Sequence, residues 1–171
     1  MKRTLATLAV LAVLLFCGLQ NVPAQEGVPM NKEEAKQAMQ QTYNYLKEAK
    51  VYYLATVDQD QPRVRPFGTV HIFEDKLYIQ TGRKKNVAKQ LLANGKVELC
   101  AMKDRSTWIR VSGVLVDDPR REAKVSMLAE YPELQRMYSP DDDNTMVLFF
   151  QPGTVEATIS SFTAKPIVMK F

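Results

Sequence analysis

Residues 63–102 read RVRPFGTVHIFEDKLYIQTGRKKNVAKQLLANGKVELCAM, and residues 108–116 continue WIRVSGVLV. The first stretch changes period twice. Arg63–Phe73 reads as a long strand, Glu74-Asp75 as a turn, and Lys76–Thr81 as a further strand. Gly82 to Lys85 then leads into a short helix carrying Val87, Leu91 and Leu92, which Asn94-Gly95 closes. Lys96–Met102 and Ser106–Val116 follow as two more strands, the second broken by Gly113.

Working outward, Val51–Val57 (VYYLATV) is rich in β-branched and aromatic residues, and Asp58 to Gln61 forms its hairpin turn. Before it, Asn31 caps a helix with Glu34 as capping-box partner. Ala35, Ala38, Met39, Thr42, Tyr45, Leu46 and Ala49 recur there at helical spacing. After the central strands, Pro119 opens a helix with Val125, Met127, Leu128 and Tyr131 on its apolar side. A second short helix runs from Pro132 to about Met137. Ser139 to Asn144 is a polar turn, and Met146–Gln151, Thr154–Ser161 and Pro166–Phe171 are strands. Hairpins at this spacing with few helices predict a small antiparallel barrel of six to eight strands with helices packed on it.

Composition sets the outer bounds. The chain has 171 residues, 46% hydrophobic and 25% charged, which excludes a disordered, collagen-like or multi-span membrane protein. Residues 1–24 carry Lys2 and Arg3, an apolar run from Leu5 to Leu19, and Val22-Pro23-Ala24. That is the layout of a secretory signal cleaved after Ala24, leaving about 147 residues for one domain. An uncleaved anchor is disfavoured because the run is short of the ~20 residues that span a bilayer. The expected location is therefore periplasmic or secreted, with no stable membrane span after cleavage. The net charge falls from +4 to about +2 without the leader, too weak a field to argue for nucleic acid. Cys17 lies in the leader, so Cys100 is the one mature thiol, which excludes an internal disulfide and a cysteine zinc site.

Three clusters carry candidate chemistry. Arg63 and Arg65 share a strand face and could grip a phosphate, or they blunt a solvated edge strand. Thr81-Gly82-Arg83-Lys84-Lys85-Asn86 sits at a strand-to-helix junction, where backbone amides favour an anion; a basic helix face in solvent is the alternative. Trp108 and Arg110 share a face suited to stacking on a planar ring or closing a subunit interface, or Trp108 is a partly buried barrel residue. His71 is the sole histidine, so no multi-histidine metal centre can form. It is an ordinary surface strand residue, an acid–base group or a lone haem ligand. Cys100 reads as a core thiol, and Asp141–Asp143 as turn chemistry rather than a calcium loop.

These strings, with MYSPDDDNTMVLFF at 137–150 and ATISSFTAKPIVMKF at 157–171, resemble the pyridoxamine 5′-phosphate oxidase-like proteins, the FMN-binding split barrels. The likeness runs from about Lys47 to Phe171. With the leader already read at 1–24 as a signal peptide, the chain divides further into a linker and N-terminal helix at 25–46 and a split-barrel flavin-binding domain at 47–171. The likeness implies that Arg65 reaches FMN, that Pro66, Phe67 and Gly68 supply backbone near the isoalloxazine, and that Gln80, Thr81, Lys84 and Lys85 hold the ribityl chain and phosphate. It further implies that Trp108 closes the pocket with Arg110 nearby, at the interface of a two-fold homodimer. No catalytic side chain is assigned.

Relatives that make pyridoxal phosphate carry a lysine soon after the flavin arginine and an Arg-x-His near the C-terminus. Thr69 and Val70 occupy the first region here, and the chain ends Ile167-Val168-Met169-Lys170-Phe171, so that activity is not expected. The expectation is an exported FMN-dependent oxidoreductase passing electrons between a small donor and a small acceptor. A flavin- or haem-binding carrier or sensor without turnover is the alternative, and a deazaflavin is a further candidate for the pocket.

Overall fold

The structure is a computed structural model, and it describes residues 31–171. The leader and the residues up to Met30 lie outside the described residues. Helix α1 (Lys32–Ala49) starts at Asn31, whose side chain accepts from the Glu33 amide rather than the Glu34 amide of a capping box. It buries Ala38, Met39, Thr42, Tyr45 and Leu46, the face that the spacing predicts. The helix thus continues three residues past position 46 and shares one core with the strands.

Nine strands follow, all paired antiparallel: β1 (Tyr52–Asp58), β2 (Gln61–Phe67), β3 (His71–Phe73), β4 (Lys76–Gly82), β5 (Lys96–Met102), β6 (Thr107–Asp118), β7 (Thr145–Phe150), β8 (Glu156–Ser161) and β9 (Ile167–Lys170). Helix α2 (Asn86–Ala93) joins β4 to β5, and α3 (Arg121–Glu130) follows β6 with a 3₁₀ turn at Pro132–Arg136. Strand order is β2-β1-β5-β6-β7-β4-β3, with β8 on β6 and β9 on β8. The mainly β, antiparallel split barrel with flanking helices is as expected; its sheet does not close, and it has one strand more than the six to eight foreseen.

The extra strand comes from a break inside Arg63–Phe73. Through Phe67 the chain pairs with β1, and from His71 it pairs with β4. Between them the backbone is held by side chains. The Tyr52 hydroxyl donates to the Thr69 carbonyl (2.7 Å), and the Tyr131 hydroxyl donates to the Val70 carbonyl and accepts its amide (both 2.9 Å). These bonds replace the missing ladder, as buried peptide groups require. Gly68 turns the chain where an added Cβ would come within 3.3 Å of the Lys50 carbonyl.

β6, by contrast, is not broken at Gly113. Its first half pairs with β8 through Ser112, and its second half pairs with β7 from Leu115. Gly113 sits at that exchange of partners, where a Cβ would lie 2.9 Å from the Phe150 ring. The strand therefore runs continuously into both halves of the barrel, and its glycine serves packing. The core between them is filled by Tyr52, Leu54, Ile79, Leu99, Ile109, Val111, Met146 and Phe150, with α1 and α2 over it.

Candidate functional site

At the gap between β2 and β4 lies a cleft of about 200 Å³. One wall is the β2–β3 link, Pro66 to Thr69. The floor is the end of β4, Gln80 and Thr81, with Lys85 at the start of α2. The opposite wall is Leu134, Met137 and Tyr138, on and after the 3₁₀ turn.

Gln80 and Thr81 are 5% and 3% exposed, and both polar atoms of the Gln80 side chain and the Thr81 hydroxyl lack any hydrogen-bond partner. Orphaned buried polar groups cost roughly 1–3 kcal/mol each, so native chains keep few without a reason. Here they border a cleft that also holds Lys85 at the start of α2. A larger cavity of about 500 Å³ lies beneath α1, lined by Met39, Leu77, Phe150 and Phe171 among others, yet none of its lining residues carries such an orphan. Polar demand, rather than volume, marks the β2–β4 cleft.

The β4–α2 loop is built tightly. The Asn144 carbonyl accepts from the Arg83 amide (2.6 Å), and its side chain accepts from the Lys84 amide (3.1 Å). Gly82 lets Asn144 and Tyr138 approach, since an added Cβ would meet both at 3.2 Å. Asp142 fixes that partner loop by accepting from the amides of Ser139, Asn144 and Thr145. Burial opposes its charge, but these bonds win and pull the carboxyl down to about 2. The acidic run is thus turn chemistry, with Asp141 held by Arg121.

The structure gathers Pro66, Phe67, Gly68, Gln80, Thr81 and Lys85 at the cleft, and leaves Arg65, Lys84, Trp108 and Arg110 off its lining. Arg65 is half-buried without a carboxylate partner. Its guanidinium donates to the Thr56 hydroxyl (2.6 Å), the Gln90 side-chain oxygen (2.7 Å) and the Leu54 carbonyl (3.2 Å). Burial and the neighbouring Arg63 lower its pKa. Arg63 pairs with Asp58 (3.5 Å), and Arg83 with Asp117 (2.8 Å). Lys84 is exposed. Trp108 and Arg110 stand on the outer face of β6, Trp108 packing on Phe162 with ring centroids 5.2 Å apart.

Two readings are corrected. Cys100 is not in the core: Val97, Leu99 and Ala101 face inward, which puts Cys100 on the outer face opposite Arg110. His71 is not a free surface residue. Its Nε2 lies 2.7 Å from the Ser126 hydroxyl, its Nδ1 lies 4.0 Å from Glu130, and burial lowers its pKa. Thr69, Leu134, Met137 and Tyr138 are site residues that strand-and-helix patterning missed. For Leu134, Met137 and Tyr138 the sequence offered the Pro132 start, the Tyr138-Ser139-Pro140 turn and their place in or just before the 137–150 string that resembles the family, none of which places them at a cleft.

Comparison with known proteins fits this architecture. The family model described as pyridoxamine 5′-phosphate oxidase matches residues 36–158. A NimC/NimA family protein of Clostridium acetobutylicum superposes with a TM-score of 0.77 at 42% identity, over 80% of this chain and 94% of that one. A pyridoxamine 5′-phosphate oxidase-related, FMN-binding protein of Nostoc punctiforme matches at 19% identity and TM-score 0.52, over 79% and 86% of the two chains. HutZ, the haem storage protein of Vibrio cholerae, matches at 16% and 0.56, over 71% and 92%. The last two share the fold. No curated protein matches by sequence. With the family model spanning most of the chain and a relative at 42% identity over nearly its whole length, this protein belongs to the pyridoxamine 5′-phosphate oxidase-like family of split barrels.

Proposed function

We propose that the chain is an exported FMN-dependent oxidoreductase that works as a homodimer. The observation that carries the cofactor is the set of orphaned polar atoms on Gln80 and Thr81, bordering a cleft with Lys85 at a helix start. The ribityl hydroxyls of FMN offer both donors and acceptors, and a phosphate suits a lysine beside free helix amides. Lys85 and Arg65 would hold the phosphate, Gln80 and Thr81 the ribityl chain, and Pro66 to Gly68 the ring. Arg65 now rests on neutral acceptors, so its charge is available to an anion. When bound, the flavin supplies transfer of electrons from a small donor to a small acceptor, and the protein supplies position and shelter.

Size and surface support the dimer. The cleft is smaller than the ~300–1,000 Å³ of most small-molecule sites, and a second subunit would complete it. The outer sheet face offers Tyr53, Met102, Trp108 and Phe162, of which Phe162 is 75% exposed. Packing of that face across a two-fold axis would place Trp108 and Arg110 at the partner's cleft. Export rests on the leader pattern of residues 1–24.

Haem is the weaker reading here, because both ring nitrogens of His71 face Ser126 and Glu130 and the residue is not on the cleft. A visible spectrum of the purified protein, before and after adding FMN and then haemin, tests the choice. Retained flavin absorbance near stoichiometry is expected. A Soret band with no flavin uptake would overturn the reading.

A further inference from the structure

The two walls of the cleft come from distant parts of the chain, and one residue touches both. We propose that Tyr131 sets the width of the cleft. Its hydroxyl donates to the Val70 carbonyl and accepts the Val70 amide (both 2.9 Å), fixing the end of the Pro66–Thr69 wall. Its own backbone starts the opposite wall. The Tyr131 carbonyl accepts from the Leu134 amide (3.0 Å), and the Leu134 carbonyl in turn accepts from the amides of Met137 (2.9 Å) and Tyr138 (3.0 Å).

The tyrosine is itself held from below. The Lys47 ammonium donates to its hydroxyl (3.3 Å) and lies 4.5 Å from its ring centre. Lys47 also pairs with Glu130 (2.8 Å), to which Tyr43 donates (3.3 Å). The clamp therefore joins α1, α3 and both cleft walls through a single residue, its hydroxyl on one wall and its backbone on the other. A phenylalanine would keep the ring packing and lose only the bonds to Val70 and Lys47. Tyr131 is a positioning residue: it acts on the ligand through the walls.

The ligand half of this proposal rests on the FMN reading, and the experiment separates the two. Amide hydrogen exchange is measured on wild type and Tyr131→Phe without ligand, alongside titration of each with FMN and with riboflavin. The variant should exchange the Val70 amide about tenfold faster, with Met137 and Tyr138 following. FMN and riboflavin should weaken together by about tenfold, because a change of width bears on the ring that both share. Unchanged exchange at Val70 would overturn the clamp, and so would faster exchange with unaltered flavin affinity. Failure of wild type to bind FMN, with the exchange changes intact, would sink the FMN reading and leave the clamp standing. Should the variant not fold, wild type alone decides. The amides of Val70, Met137 and Tyr138 should then share one opening free energy, and separate openings would contradict the proposal.

Discussion

Two neighbouring polar regions of this molecule differ in one respect that separates a site from a scaffold. Around His71 no buried side-chain polar atom is left without a partner: Ser126 is on its Nε2, Lys47 and Tyr43 are on Glu130, and Tyr131 is on Val70. Hydrogen bonding by Lys47 holds the Glu130 carboxyl below its usual range, and the bonds to Glu130 and Tyr131 outweigh burial to hold the Lys47 ammonium protonated. At the β2–β4 cleft the Gln80 amide and Thr81 hydroxyl have no partner at all. A satisfied network stabilises the chain and has little left to offer a ligand, whereas an unsatisfied one costs stability until a ligand arrives. Titratable residues alone would have pointed to His71; the unmet polar groups point to the cleft.

The contrast can be broken most forcefully at two cations, Lys85 on the cleft lining and Arg65 next to Pro66 of its wall. Replacing Arg65 and Lys85 together by alanine removes two charge-assisted contacts, each worth about 1.5–3 kcal/mol. FMN affinity should fall by at least about a hundredfold, while riboflavin, which lacks the phosphate, changes little. Equal losses for both flavins would show that the phosphate lies elsewhere.

A smaller effect, but one with opposite signs for binding and folding, is expected from Gln80→Leu. Removing an orphaned amide should leave thermal stability level or raise it, and lower FMN affinity by about tenfold. Lower stability with unaltered binding would mean that the amide is satisfied in solution by something other than the ligand. The matching change in the other region is Ser126→Ala. It breaks a satisfied bond, so it should cost about 1 kcal/mol of stability and leave FMN affinity alone.

The smallest effect is one of pH. Burial lowers the His71 pKa, so the unfolded chain takes up a proton at a higher pH than the folded one. Stability should therefore decline as pH falls through the ordinary histidine value of about 6.5 and below. His71→Gln should flatten that slope in chemical denaturation, and an unchanged slope would assign it to other groups.

Most strands were legible because their alternation is local. β1 and β5 bury the residues that a period of two assigns, and Cys100 was misplaced only because its type was weighed above its phase: it keeps step with exposed Glu98. The break between β2 and β3 was only half legible. Pro66 and Gly68 interrupt the alternation of Arg63–Phe73, but the bonds that divide it come from Tyr52 and from Tyr131, 61 positions beyond Val70. The cleft was half legible for the same reason. Pro66 to Gly68, Gln80, Thr81 and Lys85 lie in consecutive elements and followed from the family resemblance, whereas Leu134, Met137 and Tyr138 arrive through the long-range folding of α3 and its 3₁₀ turn. Arg65 was named from the same resemblance, but its orientation toward Thr56 and Gln90 depends on α2 and has no signature in the β2 strand.

The most direct test of the central claim is amide-resolved NMR of the ligand-free protein during addition of FMN. Saturable shifts should concentrate at 67–69, 80–85 and 134–138, and the amides of Ser126 and Glu130 should hold their positions. Shifts centred on the His71 region, or none at Gln80, Thr81 and Lys85, would contradict the assignment of the cleft.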